Sequence, residues 1–428
     1  MQRGLSINIK VGIVISMILM VGWIAVAGAE NRRKILLVTN GPLPIEDIVE
    51  ALVYASGCQL VHTLSLINGF AIELPQLDSQ EALAKLLQKF AMLGLVLDVY
   101  DDPVGMAGTI TSVSTQDLSG TEGYGWGPER IGLPMVYKYW PEVQGTGVDI
   151  AILDSGVDRY HPELYPHVAG GVNALRDERW NKSYYDTYGH GTHMAGIIAA
   201  ARNKLGTIGV APGARLWAVR VLDSNGIGYA SDVIKGLEWV DNKKIGLVNM
   251  SLGFIDANYP LEKATRLLSE HGVIMVAAAG NKSCPPGQTE GGGSEDEDPT
   301  CNASQLTEVK YPARYSWVIA VSAIDVDDHM PSYTLSGPAV DVVAPGGSAA
   351  TGQILSTNRY GGYAWGSGTS QATAHVTGSV ALALQRAPWL SFWQVRSLLR
   401  ETAWDLGYAA EQQGAGLIDV ESLMKALE

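Results

Sequence analysis

The chain has 428 residues, room for about two or three domains. Hydrophobic residues make up 46% and charged residues only 17%, which excludes a disordered or fibrous chain, and the net charge of −14 argues against nucleic acid as a partner. Three cysteines without a Cys-x-x-Cys pair are too few for a disulfide scaffold.

In chain order, residues 1–29 read as a signal peptide. Arg3 and Lys10 precede the apolar run Val11–Val26, and Ala25-Val26-Ala27 and Ala27-Gly28-Ala29 each fit a small-x-small cleavage site. Residues 11–29 are also just long enough to span a bilayer, so a membrane-anchored form is the alternative to a secreted one.

Residues 30–102 read as a small α+β domain. Lys34–Thr39, Leu60–Ser65, Phe70–Leu74 and Leu95–Tyr100 are strands, with a hairpin turn at Asn68-Gly69. Ile45, Ile48, Val49, Leu52 and Val53 form one helical stripe, and Leu83, Leu86, Leu87 and Phe90 another. Asp78 with Glu81 predicts a capping box for the second helix. The order βαββαβ is ferredoxin-like. Residues 103–125, rich in Gly, Ser and Thr, predict an exposed linker that is easily cut.

From residue 126 to 428, apolar strands alternate with helices. Strands fall at Val148–Leu153, Arg215–Leu222, Leu247–Met250, Val273–Ala279, Trp317–Ala323 and Val340–Val343, with helices at 192–201, 231–241, 260–271, 370–386, 391–401 and 419–427. This pattern predicts an α/β fold with a doubly wound, mostly parallel sheet, whose site lies at the carboxyl ends of the strands. Three residues stand at such ends or at helix starts: Asp154 in Asp154-Ser155-Gly156, His190 in Gly189-His190-Gly191-Thr192-His193, and Ser370 in Gly368-Thr369-Ser370. Thr369 or Ser370 is expected to cap the helix that follows. A serine hydroxyl there sits beside free backbone N–H groups that stabilise an oxyanion. It needs a base within hydrogen-bond reach. His375 lies more than a turn along the same helix, and His193 one turn past His190, so both are expected to be buried structural histidines.

With these motifs the chain resembles the subtilisin-like serine proteases, in which Asp, His and Ser follow in this order. Ser251-Leu252-Gly253, Ala278-Ala279-Gly280-Asn281, Tyr311-Pro312-Ala313 and Ala344-Pro345-Gly346 carry the resemblance further. It spans about residues 122–420, and residues 34–100 are similar to the family's propeptide. Two positions depart from the family: Gln371 stands where Met is usual, and Ala374 where Pro is usual.

The resemblance implies a secreted endopeptidase made as a zymogen. Ser370 is then the nucleophile, His190 the base, Asp154 its orienting carboxylate and Asn281 the oxyanion donor. Ser251, Leu252 and Gly253, with Gly226 and Gly228, would pair with an extended substrate. Gly280 and Lys310 would line the pocket for the residue before the cleaved bond. The partners implied are a peptide or protein substrate and the chain's own propeptide as an intramolecular inhibitor, with the enzyme a monomer. Alternatives of other kinds are a maturation protease with one dedicated substrate and a non-catalytic binding protein on the same scaffold. Residues 201–209 match the family's structural Ca²⁺ loop. Asn203 falls on a side-chain ligand position and Ala201, Leu205 and Thr207 on carbonyl positions, with Glu163 and Glu122 as acidic ligands; an all-oxygen set suits Ca²⁺.

Two expectations concern the surroundings of Asn281. Cys284 and Cys301 flank the insertion 285–300, whose five acids include Glu295, Asp296, Glu297 and Asp298. It reads as a surface loop, solvated or cation-binding. In an exported protein a disulfide across its base contributes about 3 kcal/mol and leaves Cys58 unpaired. Lys282 and Lys310 flank the specificity pocket; two ammonium groups converging there would favour Glu or Asp before the cleaved bond, the alternative being that both extend to solvent or that the insertion carries Lys282 away.

Overall fold

The computed structural model describes residues 32–108, 110–114, 122–175, 183–282 and 307–428. The signal segment 1–29 and the acidic insertion, with Cys284 and Cys301, lie outside these residues. No described helix is long and apolar enough to cross a membrane.

The N-terminal unit runs β1 (Arg33–Val38), α1 (Glu46–Tyr54), β2 (Gln59–Leu64), β3 (Gly69–Glu73), α2 (Ser79–Met92) and β4 (Leu97–Asp101). Its strands form an antiparallel sheet in the order β2-β3-β1-β4, the ferredoxin-like arrangement. Side chains alternate across β1. Leu36 packs with Val49, Leu86 and the stacked rings of Phe70 and Phe90 under the two helices, and Cys58 is a buried free thiol in the same cluster. Ile35 and Leu37 face the other way, into a core shared with the rest of the chain. One local expectation fails. Asp78 adopts a left-handed conformation (φ 58°) and makes no side-chain cap, so the capping box is absent. An Asp tolerates that conformation because its short polar side chain bonds locally.

Two short strands follow, β5 (Val104–Ala107) and β6 (Ile110–Ser114), then α3 (Trp126–Arg130) and α4 (Leu133–Tyr139). The large sheet is built from β7 (Asp149–Asp154), β8 (Val168–Asn173), β9 (Arg215–Arg220), β11 (Leu247–Met250), β13 (Ile274–Ala278), β14 (Ile319–Ile324) and β15 (Val342–Pro345). Helices α5 (His190–Ala199), α6 (Ala230–Lys243), α7 (Tyr259–Glu270), α8 (Thr369–Arg386), α9 (Phe392–Glu401), α10 (Ala410–Gln413) and α11 (Val420–Lys425) surround it. The seven strands are all parallel, in the order β15-β14-β13-β11-β7-β9-β8.

Both faces are covered, as a parallel sheet requires. Along β7, Ile150 and Ile152 join the core with Ile198 of α5 and Val376 and Val380 of α8. Ala151 and Leu153 join the core with Val233 and Leu237 of α6 and Leu261 of α7. The chain goes from β7 to the edge strand β8, returns through β9, then crosses to β11 on the other side of β7. The crevice at that reversal, outside the carboxyl ends of β7 and β11, is where such sheets bind ligands.

Four small strands frame the crevice: β10 (Ile227–Tyr229), β12 (Leu252–Gly253), and the hairpin of β16 (Ile354–Asn358) and β17 (Gly362–Gly366). The N-terminal unit docks on α6 and α7. His62 Nε2 lies 2.8 Å from Asp232 Oδ1, and the carboxylate of the fully buried Asp102 accepts from the Ser231 N–H and hydroxyl at the start of α6. Lys263 donates to the Ile67 carbonyl and Asn258 to that of Asp101.

Candidate active site

Asp154 ends β7 and is fully buried. Its carboxylate accepts from the Ser155 N–H at 2.7 Å and lies 2.8 and 2.9 Å from His190 Nδ1. His190 opens α5. Its approach depends on a residue with no earlier claim to a role, Asp186. One Asp186 oxygen accepts from the Tyr188 and Gly189 N–H groups and the Ser155 hydroxyl; the other accepts from the N–H and hydroxyl of Thr192. An acid three residues before a Gly-His pair is a turn acceptor in the making, and that was the legible signal. Gly191 is needed for packing, because a Cβ there would lie 2.1 Å from the Gly156 carbonyl oxygen.

Ser370 lies in the first turn of α8. Neither it nor Thr369 caps the helix: Gly368 is the N-cap and no side-chain cap forms. The physical reason is a neighbouring amide. Asn281 Oδ1 accepts from the Thr369 N–H at 3.1 Å and the Thr369 hydroxyl at 3.0 Å, doing what a cap would do. The same bonds orient the Asn281 amide, because its oxygen is taken by donors and Nδ2 turns to the cleft. The Ser370 hydroxyl donates to the Ser251 carbonyl at 3.2 Å, and His190 Nε2 is buried with no hydrogen-bond partner. His193 and His375 are buried with one ring nitrogen on the Ala364 and Gln371 carbonyls respectively. Burial lowers their pKa values to about 3 and about 4.

The crevice contains the chain's own residues. β5 is the middle strand of a three-stranded sheet, antiparallel to β10 on one side and β12 on the other. Gly228 pairs with Gly105, Gly253 with Met106 and Leu252 with Ala107, and the Ala107 N–H donates to the Gly226 carbonyl at 3.0 Å. Gly108 follows. A Cβ on it would lie 3.2 Å from Ser370 Oγ, 3.3 Å from Asn281 Nδ2 and 3.7 Å from His190 Nε2. Beyond it, β6 pairs with β17, the strand that leads into Ser370.

The cavity beneath Gly108 is only about 20 Å³, and Lys310 lines it with Gly253 and Gly280. Lys310 is buried, and burial lowers its ammonium to about 8. Lys282 is exposed, its N–H held by the Tyr333 carbonyl, so the two lysines do not converge.

At the loop 201–209, Glu122 Oε1 accepts from the Asn203 and Lys204 N–H groups at 2.6 and 2.8 Å. Asn203 Oδ1 accepts from the Leu205 N–H. Glu163 Oε1 accepts from the Thr207 N–H and the Tyr363 hydroxyl, the Ala201 N–H donates to the Glu163 carbonyl, and Glu163 Oε2 is buried without a partner. Burial raises the Glu163 carboxyl to about 7, and the nearby Glu122 charge adds to the rise.

The Subtilase family matches residues 145–417. Subtilisin Savinase of Lederbergia lenta is 37% identical over 297 residues, 69% of this chain and 97% of its own length. Subtilisin E of Bacillus subtilis is 39% identical over 278 residues, 65% of this chain and 66% of its own. A thermostable alkaline protease of Halalkalibacterium halodurans is 39% identical over 274 residues. Sheet, crevice and sequence agree: the chain belongs to the subtilase family and is a serine-type endopeptidase.

Proposed function

We propose that this endopeptidase is exported as a zymogen that cuts itself between Gly108 and Thr109. The observation that carries the reading is the position of β5, held as a substrate strand between β10 and β12 with Gly108 facing Ser370. Residues 30–102 are the inhibitory propeptide, 103–125 the linker with the processing site, and 126–428 the catalytic domain of a monomer. The export signal is residues 1–29.

The chemistry follows the triad. Asp154 accepts from His190 Nδ1–H, which leaves Nε2 as the basic nitrogen. Nε2 takes the Ser370 hydroxyl proton as Oγ attacks the Gly108 carbonyl carbon. The oxyanion is met by the Asn281 amide and the Ser370 N–H at the start of α8. The C–N bond breaks as the Thr109 nitrogen takes the proton from His190. Water, deprotonated by the same imidazole, then releases Gly108 as a carboxylate and restores Ser370. Peptide and protein substrates follow the same route once the propeptide has left.

Residues at 201–207 fit a structural Ca²⁺. Two carboxylates, Glu122 and Glu163, face one loop with oxygen ligands only, and Glu163 Oε2 is an orphaned buried acceptor. Glu163, Glu122 and Asn203 would hold the ion by side chains, and Ala201, Leu205 and Thr207 by carbonyls. A bound cation would fix the 122–123 segment, whose Gly123 N–H donates to the Gly206 carbonyl. Excess chelator is expected to lower the thermal midpoint of the mature enzyme by several degrees, and Glu163→Gln to remove that sensitivity. A midpoint indifferent to chelator in the wild type removes the ion from the proposal.

The test of the zymogen reading is N-terminal sequencing of the purified product. The expected first residue is Thr109, with the propeptide found as a separate chain ending at Gly108. A first stable N-terminus produced only by an added protease rejects self-processing.

A further inference from the structure

Two subsites of the crevice are already full. A Cβ on Gly105 would lie 2.6, 2.7 and 2.8 Å from three ring atoms of Phe254, far inside van der Waals contact. That ring has nowhere to retreat. Phe254 is 1% exposed, its N–H donates to the Tyr311 carbonyl and its carbonyl accepts from the Tyr311 N–H, and its neighbours form one apolar cluster with Leu252, Ala277 and Val309. The second full subsite is beneath Gly108. The stem of Lys310 lies in a slot between two glycines: a Cβ on Gly280 would lie 2.8 Å from Lys310 Cγ, and one on Gly253 would lie 3.0 Å from Lys310 Cβ. Lys310 is 4% exposed, its N–H is fixed on the Ala279 carbonyl, and the remaining cavity of about 20 Å³ holds roughly one water.

We infer that this protease is selective for Gly-x-x-Gly segments, with glycine both first and fourth before the cleaved bond. The inference rests on the protease reading above and names its substrate class. Phe254 and Lys310 are the specificity-determining residues: Phe254 stands where a side chain on Gly105 would go, and Lys310 takes up the pocket that Gly108 adjoins. The chain's linker obeys the rule at the two places where it is imposed, in Gly105-Met106-Ala107-Gly108. A hydrophobic pocket distinguishes a missing methylene only 10–200-fold, whereas a filled one rejects any added side chain by overpacking.

The mature wild-type enzyme tests this with four peptides: Gly-Met-Ala-Gly-Thr, Phe-Met-Ala-Gly-Thr, Gly-Met-Ala-Phe-Thr and Gly-Met-Ala-Glu-Thr, each blocked at both ends. The first is expected to have kcat/KM at least about 100-fold above the others. In Phe254→Gly enzyme the Phe-Met-Ala-Gly-Thr peptide should be cut as fast as the first, and in full-length chain the same change should restore processing to Gly105→Phe. Equal cleavage of the Phe peptides by wild type overturns the inference. Faster cleavage of the Glu peptide also overturns it and makes Lys310 an ion-pairing cation. Casein digestion and phosphonate labelling of Ser370 are measured on the same sample. Activity there without glycine selectivity defeats the inference alone; no activity on casein or any peptide defeats the protease reading with it.

Discussion

Ser370→Ala is expected to leave the precursor uncut and, once the propeptide is removed in trans by a trace of wild-type enzyme, to lower kcat by about 10⁶. That is the magnitude known for subtilisin, a relative of this chain. The structural case lies in how little else could act. Ser370 Oγ is the hydroxyl closest to Gly108, at 3.2 Å from a Cβ there. Ser251 Oγ is taken up with the Ser370 carbonyl and the Asn249 amide. The Thr369 hydroxyl is held by Asn281 Oδ1. Removing Oγ leaves the Asn281 amide and the strand pairing in place, so residual catalysis of about 10³ over water should survive. Peptide binding to the variant, read by direct titration with a substrate peptide, should be unchanged. A variant that retains phosphonate labelling or self-processing would falsify the role given to Ser370.

The second large effect is expected from Asp154→Asn, which should lower kcat by about 10⁴ with little loss of stability. The substitution is nearly isosteric, and the fully buried site keeps its shape because the loop before His190 is anchored by Asp186 and not by Asp154. What changes is the proton. An amide oriented by the Ser155 N–H on its oxygen turns its NH₂ to His190 Nδ1, which must then accept. The ring proton moves to Nε2, where it faces Ser370 and cannot receive another. The measurement is kcat against pH alongside the thermal midpoint. A loss under tenfold means that Asp154 does not choose the tautomer, and a midpoint lowered enough to unfold the protein at assay temperature means that it acts by holding the fold.

What the amino-acid order revealed depended on how far apart the deciding groups lie. The central strands were legible because β7, β11, β13 and β14 are dominated by branched and small apolar residues, with only Asn249 and Ser322 inside them, and are buried on both faces. α8 was legible for its length and its apolar run. β8 was not: Gly170-Gly171 interrupts it, and it is a strand only because the edge of β9 is there to pair with. β5, β10 and β12 have two to four residues each and carry no periodicity; pairing across the crevice makes them strands. The positions of Asp154, His190 and Ser370 at turns could be read locally. That Asn281 replaces a helix cap and that Phe254 meets Gly105 could not, since each joins segments distant in sequence. Nor do Lys282 and Lys310 converge on one pocket: the bridge between Asn281 and Thr334 turns Lys282 outward.

The three-stranded sheet has a consequence for what can be digested. If β5 leaves, as the proposed self-processing requires, β10 and β12 become two short edges facing each other across a gap one strand wide. Exposed edges invite pairing with any loose strand, and here the geometry admits a single extended segment reached from both sides. A helix, about 10 Å across with its side chains, does not fit, and a strand already paired in its own sheet has no free edge to offer. Native globular proteins should therefore be nicked only where a loop or terminus can be drawn out straight for at least the length of Val104–Ala107. The slot is thus a gauge of local unfolding, and for a folded target the rate of cleavage follows the frequency of its opening.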